Sequence, residues 1–170
     1  MDRKIKSFPP IVDSSACTLV LGTMPGVESL RANQYYANSR NSFWKIMARL
    51  YGFTESSTYQ EKKESLNTNR IAVWDVMHTC VRSGSLDSNI RQETIKVNDF
   101  ISFFRDYPKI TKICFNGGKA ETEFKRKVFP TLSANLKDII CIRLPSTSPA
   151  MAQKTFEEKY TEWSRALKST

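Results

Sequence analysis

Short runs of β-branched and other apolar residues alternate along the chain with longer stretches whose apolar positions recur three and four apart. The runs are Cys17-Thr-Leu-Val-Leu21, Ile71-Ala-Val-Trp74, Ile110-Thr-Lys-Ile-Cys-Phe115 and Ile139-Ile-Cys-Ile-Arg-Leu144. Nearly continuous apolar character is what strands covered on both faces require. Between and after them, Phe43, Ile46, Met47 and Leu50 form one helical stripe, and Phe100, Phe103 and Phe104 part of a second. Ala120, Phe124 and Val128 form a third, and Phe156, Tyr160, Trp163 and Leu167 a C-terminal fourth. Such stripes are core packing. Tyr59 to Asn67 is polar and reads as a surface helix. The alternation predicts an α/β fold, a three-layer α/β/α sandwich around a central, mostly parallel four-stranded sheet. With 170 residues and no repeat, low-complexity tract or linker-like stretch, residues 1–170 read as one domain.

Each predicted strand runs into a distinctive polar or glycine-rich segment. In chain order these are Gly22-Thr-Met-Pro-Gly26, Asp75-Val-Met-His78, Asn116-Gly-Gly-Lys119 and Pro145-Ser-Thr-Ser-Pro149. In an open parallel sheet the carboxyl ends of the strands share one edge, where the ligand crevice forms. Segments far apart in sequence are therefore expected to meet at one site. Glycine and proline after a strand also make plain tight turns. The first segment lacks the glycine spacing of a Walker loop or a dinucleotide fingerprint, which disfavours P-loop hydrolysis and Rossmann-type redox chemistry. Pro145–Pro149 offers hydroxyls and backbone N–H groups just ahead of the last helix, suited to a phosphodiester, although a capping motif looks similar.

The most specific stretch is Tyr35-Tyr-Ala-Asn-Ser-Arg-Asn-Ser-Phe-Trp44. Aromatics beside amides suit a pocket that stacks a flat base and hydrogen-bonds its edge. The structural alternative is a loop with Ser42 as helix N-cap and Phe43 and Trp44 in the core. Phe43 and Trp44 fit that alternative; Tyr36 and Asn41 fit the pocket.

Charge narrows the partner. Lys and Arg number 26 against 17 Asp and Glu, a net +9, which favours an anionic partner and nucleic acid before acidic lipid. The N-terminus is basic without an apolar core, and Ala16 to Leu21 is too short to cross a bilayer, so no leader or membrane span is expected. Cys17, Cys80, Cys114 and Cys141 show no C-x-x-C spacing, and His78 is the single histidine. Structural zinc is disfavoured, and a reduced, cytoplasmic, metal-free and cofactor-free monomer is the expectation.

Together these segments resemble the uracil-DNA glycosylase superfamily from roughly Thr18 to Trp163. Gly22–Gly26 resembles its first motif, and Tyr36-Ala-Asn-Ser-Arg-Asn-Ser-Phe-Trp44 the aromatic-Ala-His-Pro-x-Asn-x-Phe-Trp run of the mismatch-specific members. Phe115-Asn-Gly is similar to a strand end of the thymine branch, and Leu144-Pro-Ser-Thr-Ser-Pro149 to the second motif. Trp74-Asp-Val76, Gly84-Ser-Leu-Asp-Ser88 and the Pro-Ser-Thr-Ser-Pro run are most similar to the hypoxanthine-DNA glycosylase branch. The resemblance implies hydrolysis of the N-glycosidic bond of a flipped deoxyinosine in DNA, without strand cleavage. Uracil or mismatched-thymine excision is the first alternative, and a non-catalytic DNA-binding relative the second.

Site roles follow from that resemblance. Thr23 and Met24 stand where other branches place a water-orienting Asn or Asp, so the catalytic polar role moves to Asn41. Asn38, in place of the usual histidine, is its rival or helper. Asp75 matches the position that reads the uracil edge, and is also a candidate base or electrostatic partner of the sugar. Gly22, Thr23, Met24, Pro25, Gly26, Tyr36 and Asn116 are expected to contact the base. Ser146, Thr147, Ser148, Pro149 and Ala150 are expected to grip the DNA backbone, with Ala150 or Met151 as an apolar wedge. His78 could polarise the base or simply satisfy its loop. Arg82, Lys119 and Lys125-Arg126-Lys127 are candidates for long-range attraction to DNA.

Overall fold

The computed structural model describes residues 3–168. Strand β1 (Arg3–Lys6) is followed by β2 (Thr18–Gly22), α1 (Val27–Ala32), α2 (Phe43–Tyr51) and α3 (Tyr59–Thr68). Then come β3 (Ile71–Asp75), β4 (Met77–Arg82), β5 (Lys96–Val97), α4 (Phe100–Asp106) and β6 (Lys112–Asn116). Helix α5 (Gly118–Glu123) continues as a π-helical turn over Phe124–Val128, and β7 (Ile140–Leu144) leads to α6 (Phe156–Lys168).

The four apolar runs form one sheet in the order β3-β2-β6-β7, parallel throughout. Val20 lies opposite Val73 on one side and Cys114 on the other. Every residue of β2, β3 and β6 is buried, which is why their sequences carry no alternation. Strand β7 is the edge, and its Ile140 remains 57% exposed. The expected α/β sandwich is therefore present, with the sheet parallel rather than mostly so. Chain order reverses direction at β2: β3 lies to one side, β6 and β7 to the other. The crevice outside β2 and β6 is a topological switch point, where ligands of such sheets bind.

The stripes pack as their spacing requires. Phe43, Ile46 and Met47 are fully buried, and the Phe43 ring meets Trp163 of α6 edge-on at 6.0 Å. Phe100 meets Phe124 at 5.2 Å, joining α4 to the end of α5. Lys112, inside a central strand, reaches the C-terminal helix and donates to the Ala166 carbonyl at 2.8 Å.

A second sheet, antiparallel and ordered β1-β4-β5, was not expected from the sequence. Its first strand, Arg3-Lys-Ile-Lys6, buries only Ile5 and looks like a charged tail. Its second, Met77-His-Thr-Cys-Val-Arg82, mixes polar and apolar residues, and Met77 and Cys80 pack in a small cluster with Ile5, Met24, Ile90 and Ile95. Two local expectations are corrected. Helix α6 starts at Phe156, where Thr155 and Glu158 exchange capping bonds, so Pro145–Pro149 is a loop and does not cap the helix. Ser42 makes no side-chain cap to α2; instead Asn41 Oδ1 accepts the Phe43 N–H at 2.9 Å. Among the described residues no helix is long and apolar enough to cross a membrane.

Trp163 ties this core to the cavity edge, because its fully buried indole donates to the Pro145 carbonyl at 3.0 Å. Trp163→Phe removes that bond and part of the volume. The expected cost is about 1–3 kcal/mol in urea unfolding. A loss below about 0.5 kcal/mol, the range of ordinary surface changes, would contradict the anchoring role.

Candidate active site

At the carboxyl edge of the parallel sheet lies a cavity of about 670 Å³ lined by all four strand-end segments and by the Tyr35–Asn41 stretch. The candidate catalytic, base-contacting and backbone-gripping residues are on its wall: Gly22, Thr23, Met24, Pro25 and Gly26; Tyr36, Asn38 and Asn41; Asp75; Asn116; and Ser146 to Ala150. Strand ends deliver the first, third and fourth groups directly.

Asp75 ends β3 on this wall and is 3% exposed. Ser7 Oγ donates to its Oδ2 at 2.7 Å, and Asn98 Nδ2 donates to its backbone carbonyl at 2.9 Å. The other carboxylate oxygen, Oδ1, lies where only a glycine fits: a Cβ on Gly22 would stand 2.6 Å from it and 3.0 Å from the Tyr36 hydroxyl. Burial raises the Asp75 pKa to about 7; the Ser7 hydrogen bond and Arg82 pull it down, and Asp87 pushes it up. The Tyr36 hydroxyl is buried with no hydrogen-bond partner among the described residues. A carboxyl oxygen and a phenol thus sit side by side, both with unused bonding capacity, and such groups are costly unless something meets them.

Tyr36 is held in an unusual way. Its φ is +54°, in the left-handed region that non-glycine residues seldom occupy, and its ring stacks on Phe43 at 4.1 Å. Tyr35, its neighbour, is a core anchor whose hydroxyl donates to the Phe8 and Pro9 carbonyls, although it also reaches the wall. Strained backbone of this kind persists where surrounding packing fixes it, and it clusters at working sites. Asn38 Oδ1 accepts the Arg40 N–H at 2.9 Å and serves a turn, whereas Asn41 is tied to the first turn of α2. Of the two amides, Asn41 is the one mounted on a helix.

The loop after β7 is clamped from below. Asn116 donates from Nδ2 to Thr147 Oγ1 and accepts the Thr147 N–H on Oδ1, both at 2.9 Å. Its amide is committed to the loop, so Asn116 positions Thr147 as well as lining the cavity. Gly117, at φ +95°, lets the loop pass so closely that a Cβ would meet Ser146 Cβ at 3.1 Å. Ser42 adds two further bonds to the Thr147 carbonyl, from its N–H at 3.0 Å and its Oγ at 3.2 Å.

The sequence reading passed over part of the rim. Ser85, Leu86 and Asp87 line the cavity, and Leu86 is 52% exposed. Ser85 Oγ accepts the Val27 N–H at 2.9 Å, locking this loop to the one after β2. Asp87 is a second carboxylate at an edge where only Asp75 was expected; burial pushes its pKa up, against a Thr23 hydrogen bond and Arg82. The signal was present in Gly84–Ser88, a Gly/Ser loop with one large apolar residue, but nothing in its spacing said which way it folds.

Several charged candidates take other places. Arg82 is 2% exposed; its guanidinium bonds the Gly84 and Pro25 carbonyls and joins two cavity loops, so it holds structure and cannot steer DNA. Lys119 and Arg126 pair with the buried Glu123, and Lys125 pairs with Glu121, which offsets their charge. His78 is on β4 with Nδ1 3.1 Å from Asn98 Oδ1, and it does not line the cavity. The four cysteines are unbridged, and no group of three His, Cys, Asp or Glu among the described residues is arranged to hold a metal.

By fold and site this is an α/β protein with a polar, aromatic-walled cavity at the switch point of a parallel sheet. The chain belongs to the uracil DNA glycosylase superfamily, whose sequence profile matches residues 9–168. A protein of Methanosarcina acetivorans named hypoxanthine DNA glycosylase is 40% identical over 116 residues, 68% of this chain and 72% of the relative. A protein of the same name from Methanosarcina barkeri is 36% identical over 119 residues, 69% and 73% of the two chains. The solution NMR structure of a candidate uracil DNA glycosylase from Methanosarcina acetivorans superposes with a TM-score of 0.79, at 34% identity and 97% coverage of both chains.

The buried carboxyl sets a pH dependence of stability. Between its ordinary value of 3.8 and about 7, the folded state keeps a proton that the unfolded chain releases. The stabilisation is complete at low pH and is lost as pH rises through about 7. Asp75→Asn removes the burden of burying the charge. Its thermal midpoint should exceed that of the parent by about 3–8 °C at pH 8 and converge with it near pH 4. A parent that gains stability relative to Asp75→Asn between pH 5 and 8 would contradict this assignment.

Proposed function

We propose that the protein is a DNA glycosylase that hydrolyses the N-glycosidic bond of deoxyinosine and releases hypoxanthine. The observation that carries this reading is the adjacent pair of Asp75 carboxyl and Tyr36 hydroxyl on the cavity wall. The names of the two Methanosarcina relatives support it as well.

The target base must leave the duplex to expose its glycosidic carbon, at a cost of a few kcal/mol that is smallest for a mispaired base. Flipped hypoxanthine presents an N1–H donor beside an O6 acceptor. Ionised Asp75 accepts from N1–H, and the Tyr36 hydroxyl donates to O6. Adenine reverses both groups and is disfavoured: its amine can still give a proton to the Tyr36 oxygen, but its N1 lone pair faces the ionised Asp75 carboxylate with no proton between them. Guanine shares the lactam edge, and its strong pairing to cytosine keeps it in the duplex. Uracil carries the same donor–acceptor pair on a smaller ring, which makes it the competing substrate.

Cleavage develops positive charge on the sugar and negative charge on the departing base. Asn41, fixed to α2 through Phe43, holds a water in line with the anomeric carbon, a positioning role since an amide is no base. Asn38 lies on the same wall as its helper. Backbone N–H groups of the Thr23–Gly26 loop face the growing charge on the base: the Gly22 and Thr23 carbonyls are spent on Val76 and Met77, and the Met24 and Gly26 N–H groups meet no acceptor among the described residues. Ser146 and Ser148, with the loop backbone around Pro149 and Ala150 shaping the rim, meet the flanking phosphates. Thr147, 1% exposed and bonded to Asn116 and Ser42, holds that loop in place and does not itself reach a phosphate. Leu86 joins Ala150 and Met151 as an apolar wedge for the gap in the stack. The substrate partner is DNA carrying deaminated bases, and the reaction consumes only water.

Single-turnover assays on duplexes carrying inosine, uracil, xanthine or mismatched thymine test this. Inosine should give the fastest release, and Asn41→Ala should lower that rate by about 10²-fold or more while leaving DNA affinity within a few fold. No abasic product from any lesion, with Asn41→Ala indistinguishable from the parent, would remove the proposal.

A further inference from the structure

A second concavity, also about 670 Å³, lies between the beginnings of α2 and α6. Arg40 lines both it and the candidate active site, so the two lie against the same side chain. Four cations face this groove, Arg40, Lys45, Arg49 and Lys159, against the single acid Glu55. They are not equally engaged. Arg49 is paired with Glu157 at 2.7 Å, and its guanidinium lies 4.0 Å over the Tyr160 ring. Arg40 and Lys45 pair with no carboxylate among the described residues.

Lys159 is the informative member. It is 6% exposed, and its Nζ has the Ser148 carbonyl at 3.4 Å as acceptor, with no carboxylate partner among the described residues. Burial holds its pKa below the usual lysine value. A buried ammonium without a counter-ion is unfavourable, so an anion arriving in the groove would find the charge already placed. Ser148 belongs to the loop proposed to grip the DNA backbone, which puts that anion immediately beside the extruded nucleotide. Phe53 and Phe156 give the same groove apolar walls fit for sugar or base faces.

We propose that this groove is a second backbone site for the lesion-bearing DNA strand, with one phosphodiester on Lys159 and the outer cations Arg40 and Lys45 around it. It rests on the glycosylase reading for its DNA substrate and extends the footprint to the α2–α6 side of the cavity. Lys159 acts from beneath the Ser148 loop; Arg40 and Lys45 act from solvent. This division predicts that the outer pair sets salt dependence and the inner lysine sets which phosphate is recognised.

Binding is measured on duplexes with a stable abasic analogue, so that no base release enters the readout. The double variant Arg40→Ala/Lys45→Ala should lower the slope of log affinity against log salt by about 1–2, since each phosphate contact contributes about 0.9. Single methylphosphonate replacements next to the lesion then locate the phosphate. One of them should weaken the parent by about tenfold and weaken Lys159→Met by less than about twofold, a non-additive pair. If Lys159→Met does not fold, Lys159→Gln, which keeps a neutral donor toward the Ser148 carbonyl, should show the same loss of sensitivity at that phosphate. Unchanged slopes with additive losses at every phosphate would overturn the groove while leaving lesion excision standing. Non-additive losses in a protein that excises no lesion would keep the groove and sink the glycosylase reading.

Discussion

The close approach of Gly22, Asp75 and Tyr36 is the contact on which the site depends. Gly22 ends β2 and Asp75 ends the neighbouring β3, so parallel pairing brings them opposite each other before any side chain chooses a direction. No Cβ fits on Gly22 without striking the carboxylate oxygen or the tyrosine hydroxyl. Burial of the carboxyl follows from that geometry, and the raised pKa follows from burial. Tyr36 meets the pair only because its backbone takes a left-handed turn, held by stacking on Phe43.

The rest of the cavity is arranged to keep this contact in place. Arg82, buried where a basic residue seldom sits, bridges the loop after β2 and the Gly84–Ser88 loop through two carbonyls. Asn116 and Ser42 fix Thr147 from two sides, and Trp163 holds Pro145 from the core. Polar groups that a surface reading assigns to ligand binding are thus partly committed to architecture. What stays available on the wall is a short set: one oxygen of Asp75, the Tyr36 hydroxyl, the Nδ2 of Asn41, whose Oδ1 is held by the Phe43 N–H, and loop N–H groups. That economy suits a site that discriminates by leaving polar groups unpaired in the wrong complex.

The parallel sheet was legible because three of its strands are buried on both faces, and burial writes an unbroken apolar run. Once the strands were read as parallel, the convergence of Gly22–Gly26, Asp75, Asn116 and Ser146–Ala150 followed, because the carboxyl ends of such strands share one edge. The small antiparallel sheet was not legible, since Arg3–Lys6 buries one residue and β4 carries His78, Thr79 and Arg82. Arg82 was a candidate for long-range attraction to DNA because charge in a sequence says nothing of burial. Ser7 and Asp87, both partners in the electrostatics of Asp75, come from segments with no periodic signal. The helical stripes were correct for the opposite reason: spacing of three and four is dictated by the helix itself.

The central claim is that the carboxyl–phenol pair receives the edge of an extruded deaminated purine. A crystal structure of Asn41→Ala bound to an inosine-containing duplex tests it most directly. The account predicts hypoxanthine inside the cavity, with N1 at hydrogen-bond distance from Asp75 and O6 at hydrogen-bond distance from Tyr36. An inosine still stacked in the helix, or a base in the cavity with that edge turned away from Asp75, would contradict it.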